Sequence, residues 1–316
     1  MSRSAPARQR LVGAARWALG LAIVGFLLLR FDLRSVAGTL QQVDLRIAIP
    51  AILALVAVHL LGAVAWHDLS IRLADVRLGW WPTITHYYTA QAVGSMTPAN
   101  LGADAYRVAA LRKPGREWTT LLLPIVVQRV TSQVALSVIC LGALLVLPYS
   151  SSTLPIVLAG AAFIVVSAAI LLFVRTRPKL RGMTVSPRAW VAALASGTGL
   201  ALAFHLGSIG MVYLLVVALG GHSAAVPVIA SIAVARLAIL IPISPSGLGF
   251  QEAALSLLFL QIGLSAEMAL ATALLNRLAL VGTMALGASL ILSGRTGTPA
   301  RREEGARAGY EVSASG

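Results

Sequence analysis

The sequence predicts an all-α, polytopic membrane protein with about six full spans, two re-entrant or broken helix hairpins (or eight spans in all) and an inverted-topology internal repeat. Three observations carry that prediction. Of 316 residues, 58% are hydrophobic and only 11% charged, with a mean hydropathy of +0.85, more apolar surface than a soluble fold of this length buries. Six apolar runs reach or approach the roughly 20 residues that cross the hydrocarbon core as helix. One motif occurs twice, as Pro98-Ala99-Asn100-Leu101-Gly102 and Pro245-Ser246-Gly247-Leu248-Gly249, each followed by an apolar segment with an arginine inside it.

Residues 1–10 read as a basic cytoplasmic tail, and 11–293 as a single transmembrane domain. Its first run, Leu11 to Leu29, follows Arg3, Arg8 and Arg10 as a signal peptide would, but no Ala-x-Ala-like site closes a short apolar core, so a retained helix is expected. Between Leu33 and Arg46, Val36, Leu40 and Val43 stand at helical spacing, which suits either a short amphipathic surface helix or a solvated loop. The next runs are Ile47 to Trp66, Leu121 to Leu147, Leu154 to Val174, Trp190 to Leu219 and Met268 to Leu292. Residues 294–316 have the composition of a disordered cytoplasmic tail.

Basic residues set the orientation, because cytoplasmic loops carry the excess of Lys and Arg. The N-terminal tail, Arg107 to Arg116 and Arg175 to Arg188 are strongly basic, whereas the Pro148 to Thr153 and Gly220 to Ala225 turns have no charge. Both termini are therefore expected in the cytoplasm. The apolar segment Trp80 to Thr97 lies between two basic stretches, 70–79 and 107–116, so it must enter and return. Its proline and glycine break supplies the turn. From the external 220–225 turn to the internal tail an odd number of crossings is required, met by a re-entrant pair (Val226 to Ile243, then Phe250 to Ile262) plus Met268 to Leu292, or by three full spans. Either way the Arg129 and Arg277 helices run in opposite directions, the inverted arrangement of many transporters.

An ionisable residue at a helix centre costs roughly 2.5–3.5 kcal/mol on insertion scales, so those present mark function. Arg129 lies 129 − 102 = 27 residues beyond Gly102, and Arg277 lies 277 − 249 = 28 beyond Gly249. With Arg236, Glu252, Asp104, Arg107 and the break residues Asn100, Gly102 and Gly249, they make up the expected substrate-binding set. A half-helix after each break turns its unsatisfied N–H groups and positive dipole end toward an anion, and arginine forks bind phosphate bidentately. Asp104 and Glu252 would either orient the arginines or carry a coupling proton. His59 and His205 read as hydrogen-bonded packing residues, and His67-Asp68, His86 and His222 fall near ends or in loops. Trp80-Trp81, Tyr87-Tyr88 and Tyr106 read mostly as an interfacial aromatic belt, Gly207 and Gly210 as close-packing sites, and the lone Cys140 as lipid-facing or packing filler.

No His, Cys or carboxylate spacing suggests a metal, and no cofactor is expected. The net charge of +14 gathers at helix ends, which points to lipid headgroups rather than nucleic acid. There is no Gly-Lys dipeptide and so no P-loop, and no extra-membrane segment long enough for a catalytic domain. An enzyme is not expected.

Leu78-Gly79-Trp80-Trp81 leading to Pro98-Ala99-Asn100-Leu101-Gly102-Ala103-Asp104-Ala105-Tyr106-Arg107, and Pro245-Ser246-Gly247-Leu248-Gly249-Phe250-Gln251-Glu252-Ala253, with Gln128-Arg129 and Asn276-Arg277, resemble the flippase-like membrane family whose best-known member is the membrane half of lysylphosphatidylglycerol synthase. The likeness covers about Leu11 to Leu292. It implies movement of a phospholipid or lipid-linked substrate between leaflets of the bacterial plasma membrane, with some relatives found beside glycosyltransferases and polyprenyl-phosphate pathways. The family's Gly-x-Asp-x-x-Arg maps onto Gly102, Asp104 and Arg107, and its Gly-x-x-Glu onto Gly249 and Glu252. Ala103 departs from the pattern, which usually has glycine there. The synthase's aminoacyl-transferase domain has no counterpart in this sequence, so lysine transfer is not implied.

Three functions follow as expectations. The first is a plasma-membrane flippase for an anionic phospholipid or polyprenyl-phosphate-type lipid. The second is a membrane-embedded lipid-modifying transferase with Asp104 or Glu252 as general base. The third is a non-catalytic membrane partner that docks a glycosyltransferase through Arg175 to Arg188.

Overall fold

The computed structural model describes residues 33–97, 100–112, 117–144, 185–221, 224–236 and 249–294, with Ala18 and Gly25 singly. The expected runs Leu11 to Leu29 and Leu154 to Val174, the 148–153 turn, most of the Arg175 to Arg188 stretch, the tail, and Pro98, Ala99 and Pro245 to Leu248 of the motifs lie outside the described residues. Every regular element among the described residues is helical: α1 (Leu33–Gln41), α2 (Leu45–Ala57), α3 (His59–Ala74), α4 (Trp80–Ser95), α5 (Leu101–Leu111), α6 (Trp118–Leu144), α7 (Pro187–Ala218), α8 (Ala225–Ala235), α9 (Phe250–Gln261) and α10 (Ala266–Leu292).

Among the described residues, four segments are long and apolar enough to cross a membrane: Leu45–Ala74, Trp118–Ala143, Pro187–Ala218 and Ala266–Leu292. They coincide with four of the six expected spans. The first consists of α2 and α3, which meet at Val58, whose N–H still donates to Ala54 O at 2.8 Å. In that span and in α10 only 28% of the most apolar stretch is buried, and Leu45, Ile49 and Leu53, four residues apart, are exposed along one face. A soluble protein would hide such a face, whereas lipid solvates it without penalty. Inside the spans, α2 carries Pro50 on an exposed face and α6 carries a buried Pro124.

Helix starts are set by caps. Asp44 Oδ1 accepts from Arg46 N at 2.9 Å, Ser186 Oγ from Ala189 N and Ser265 Oγ from Met268 N, both at 3.2 Å, each filling one of the orphan N–H groups of a first turn. The amphipathic segment is the helix α1, with Val36 buried and the helix packed on α10.

Two short-helix pairs, α4 with α5 and α8 with α9, flank the two motif copies. These four helices, of 16, 11, 11 and 12 residues, fall short of a span. They pack against the long helices: α7 lies against α2, α3 and α6, and α10 against α4 and α9. The main apolar core, with Leu55, Cys140, Ile209, Leu215, Ile232 and Phe259, joins α2, α6, α7, α8 and α9. A smaller one, with Trp66, Tyr87, Leu121 and Ile125, lies under the first pair.

Several expectations change. Tyr87 and Tyr88 are buried, whereas Trp80 and Trp81 are exposed. Tyr88 OH donates to Val56 O at 2.8 Å, so those two tyrosines are internal struts, and a rule drawn from interface statistics misplaces them. Gly207 is a close-packing site, a Cβ there standing 3.2 Å from Val58 Cγ2, whereas Gly210 has open space around its Cβ position. Tighter approaches lie at Gly62, Gly94 and Gly287. A Cβ on Gly287 would stand 2.1 Å from Tyr88 O, so α4 and α10 sit closer than any side chain allows. Cys140 is buried, its Sγ 3.2 Å from Ala233 O, and serves packing.

Gly287→Ala should therefore lower stability by about 1–3 kcal/mol through overpacking, while Gly210→Ala should cost nothing. Thermal unfolding of the two variants in detergent micelles checks the pair.

Candidate functional site

The first motif copy builds its site from the break outward. Asn100 adopts a left-handed backbone (φ 58°), which turns the chain before α5. Gly94 leaves the space that its Asn100 neighbour fills, since a Cβ there would meet Asn100 Oδ1 at 1.8 Å. Thr97 Oγ1 accepts from Gly102 N at 2.7 Å and donates to Gly94 O at 2.9 Å, tying the end of α4 to the start of α5. Asp104 then lies in the first turn of α5, where the helix dipole favours a carboxylate.

Two arginines converge on that carboxylate. Arg107 Nη2 donates to Asp104 Oδ1 at 2.6 Å, and Arg129 Nε on α6 donates to Oδ2 at 2.5 Å. Arg107 also donates from Nη1 to Gln128 Oε1 at 2.6 Å, and Gln128 Nε2 to Gly62 O at 2.8 Å. The Arg107 guanidinium lies 5.8 Å from both the Trp66 and Tyr87 ring centres, within cation–π range. Arg129 Nη2 reaches Asn100 O at 3.2 Å, so the arginine on the long helix holds the break itself.

The second copy repeats the plan with one difference. Glu252, in the first turn of α9, accepts from Gly249 N at 2.8 Å through Oε2, where Gly249 has a φ of 81° that suits glycine. Its Oε1 accepts from Arg277 Nε at 2.8 Å and from Arg277 Nη2. Both inter-helix pairs, Asp104 with Arg129 and Glu252 with Arg277, join residues 25 apart. Charges balance one to one at Glu252, but Asp104 serves two guanidiniums, so the first cluster carries an excess positive charge.

That excess borders open space. A cavity of about 220 Å³ is lined by Arg107, Arg129, Gln128, Asn100, Gln91 and Tyr87, among others, and the Arg129 side chain is 38% exposed into its surroundings. A second cavity of about 300 Å³ is lined by Arg236, His205, Gln251, Asn276 and Ser208. The two share Asn100, Ser132, Gln133 and Phe204 as walls. The second cavity thus joins residues of both motif copies, Asn100 from one and Gln251 and Asn276 from the other.

Among the expected site residues, Asp104, Arg107, Arg129, Asn100 and Gly102 form one cluster, and Glu252, Arg277 and Gly249 another. Arg277 and Glu252 line neither cavity. Arg236 lines the second. Reading by charge missed Gln91, Gln128, Ser132, Gln133, Gln251 and Asn276, although the amide immediately before each matched arginine, Gln128 and Asn276, was a visible signal. His59 Nδ1 lies 3.0 Å from Leu55 O and its ring meets Phe204 edge-on, as a packing histidine should. His205 Nε2 lies 3.2 Å from Ser132 O. His67 and His86 are within helices rather than at ends: His86 Nδ1 lies 3.0 Å from Tyr106 OH, and His67 stacks on Trp80. Asp68 pairs with Arg72 at 2.8 Å and accepts from Ser196 Oγ at 2.6 Å. No cluster of metal-ligating side chains occurs among the described residues.

A family model described as "Lysylphosphatidylglycerol synthase TM region" matches residues 14–287. None of the curated proteins matches the chain.

Glu252→Ala removes the acceptor of both Arg277 and Gly249 N–H, and should lower stability by about 3–5 kcal/mol, the cost of unpairing a buried charge. Adding Arg277→Met to Glu252→Ala should restore at least about 1 kcal/mol, because the stranded guanidinium is then gone. Denaturation of the single and double variants in micelles measures the coupling.

Proposed function

We propose that this chain, which belongs to the lysylphosphatidylglycerol synthase TM-region family, is a translocase that passes the headgroup of an anionic phospholipid or polyprenyl-phosphate-type lipid between the leaflets of the plasma membrane. The observation that carries the reading is the excess positive charge of the Asp104, Arg107 and Arg129 cluster beside a cavity inside an apolar bundle. A phosphate there would complete the charge balance and accept from the half-exposed Arg129 guanidinium. The adjoining cavity extends the polar path past Asn100 toward the second motif copy.

In this reading the bundle has six spans with two re-entrant hairpins in inverted orientation, both termini in the cytoplasm, and a path that opens alternately to the two sides. Arg129 and Arg107 bind the phosphate. Arg277, balanced by Glu252, holds the second break in place instead of touching substrate. No covalent step is needed: the residues bind and neutralise a charge that would otherwise cross hydrocarbon, and the acyl chains stay in lipid. The family's name joins it to a lipid-modifying enzyme, and the soluble partner of such a path is a lipid-modifying enzyme or glycosyltransferase working on the same lipid.

The test is translocation of a labelled anionic lipid in proteoliposomes of the full chain. Arg129→Ala should slow transfer by at least about tenfold, corresponding to about 1.4 kcal/mol of lost phosphate stabilisation, with the lipid chemically unchanged by mass. Transfer at the wild-type rate in Arg129→Ala overturns the assigned site, and a covalently altered lipid would favour the transferase.

A further inference from the structure

Among the described residues, three of the arginines inside the bundle meet a carboxylate and Arg236 meets none. Arg107 and Arg129 share Asp104, and Arg277 pairs with Glu252. Among the described residues Arg236, at the C-cap of α8, has no ion-pair partner and its buried Nε has no hydrogen-bond partner. It lines the larger cavity. An uncompensated guanidinium in an apolar bundle is costly, so the position calls for an anion from outside the chain.

The walls of that cavity specify more than charge. Gln251 Oε1 and His205 Nδ1, on two of its lining residues, are buried and have no hydrogen-bond partner among the described residues. His205 Nε2 meets both Ser132 Oγ at 3.0 Å and Ser132 O at 3.2 Å, so Nδ1 accepts in one tautomer and donates in the other, and a hydroxyl group satisfies either. A missing donor at Gln251, a site for a hydroxyl at His205 and a missing anion describe a phosphate that carries hydroxyl groups. Asn100, Asn276 and Ser208 add further polar surface.

We propose that the Arg236 cavity is a binding site for a hydroxylated phosphate ester, separate from the Arg129 cavity and joined to it through the Asn100, Ser132, Gln133 and Phe204 wall. The site deepens the translocase reading and rests on it for its physiological occupant. A lipid headgroup and a free phosphate ester share the required chemistry. In either, the phosphate faces Arg236 and the hydroxyls face Gln251 and His205.

Calorimetric titration of the full chain in maltoside micelles tests the site with two probes, dihexanoylphosphatidylglycerol and glycerol 3-phosphate. Wild type should bind at least one of them saturably. If both bind, the phosphate ester alone is recognised. If only the lipid binds, the headgroup needs its chains. Arg236→Gln should weaken binding by at least about tenfold, the loss expected for a charge-assisted hydrogen bond, and Arg236→Lys should stay within a few-fold. Gln251→Glu keeps the arginine and the side-chain size but adds a carboxylate to the same wall, and should also weaken binding. It decides the matter if Arg236→Gln fails to fold. Equal affinity in wild type, Arg236→Gln and Gln251→Glu overturns the site, as does no saturable binding of either probe to wild type. Translocation measured on the same preparations separates the two claims: normal transport with binding indifferent to Arg236 removes this site and leaves the translocase, whereas Arg236-dependent binding without wild-type transport does the reverse.

Discussion

A guanidinium inside hydrocarbon needs a partner, and much of this bundle is arranged to provide one. Each motif copy places a carboxylate in the first turn of a short helix, where the helix dipole also favours negative charge, and each carboxylate reaches an arginine in the following long helix. The short helices are thereby pinned to the long ones. At Glu252 one carboxylate both neutralises Arg277 and accepts the Gly249 N–H, so the backbone break and the charge are satisfied together. At Asp104 the backbone work passes to Thr97 and to Arg129, which holds Asn100 O. That division leaves Asp104 free to serve two arginines, and the excess charge of the first cluster results.

Much of the fold was legible in the apolar runs. Four expected spans coincide with long helices because helix in lipid is dictated by length and hydropathy alone. The break before Gly102 was legible as well, since proline and glycine act on backbone conformation and need no tertiary context. Tyr87 and Tyr88 were not. An aromatic near a basic loop has the same sequence signature whether it faces headgroups or the interior, and only the neighbours, Gly62 opposite the Tyr87 ring and Val56 O opposite the Tyr88 hydroxyl, distinguish the two. Gly287 was passed over for a like reason: its importance comes from the α4 backbone, some two hundred residues earlier in the chain.

For the site, charged residues stood out by cost, which is why Asp104, Arg107, Arg129, Arg236, Glu252 and Arg277 could be picked. Which acid faces which arginine is a different kind of information. Measured from the glycines the two copies are offset by one residue, but from the carboxylates both spacings are 25, so the functional register lies with the acids. The stoichiometry of two arginines to Asp104 and one to Glu252 depends on Arg107, which has a counterpart in only one copy: three residues after Glu252 stands Leu255. The neutral amides at the cavity walls carry too small an insertion penalty to stand out from the surrounding chain.

The spacing of 25 has a consequence for how the protein enters its membrane. Helices are delivered in order as the chain is made, and an arginine such as Arg129 arrives long before α9 or α10 exists. Because its acid lies in the helix just preceding it, the charge can be quenched by the segment already present, and the same holds for Arg277 and Glu252. Each motif copy supplies the acid for its own long-helix arginine and does not wait for distant helices to make that arginine tolerable. Arg236 is outside both pairs, and its charge is left unanswered by them after assembly is complete.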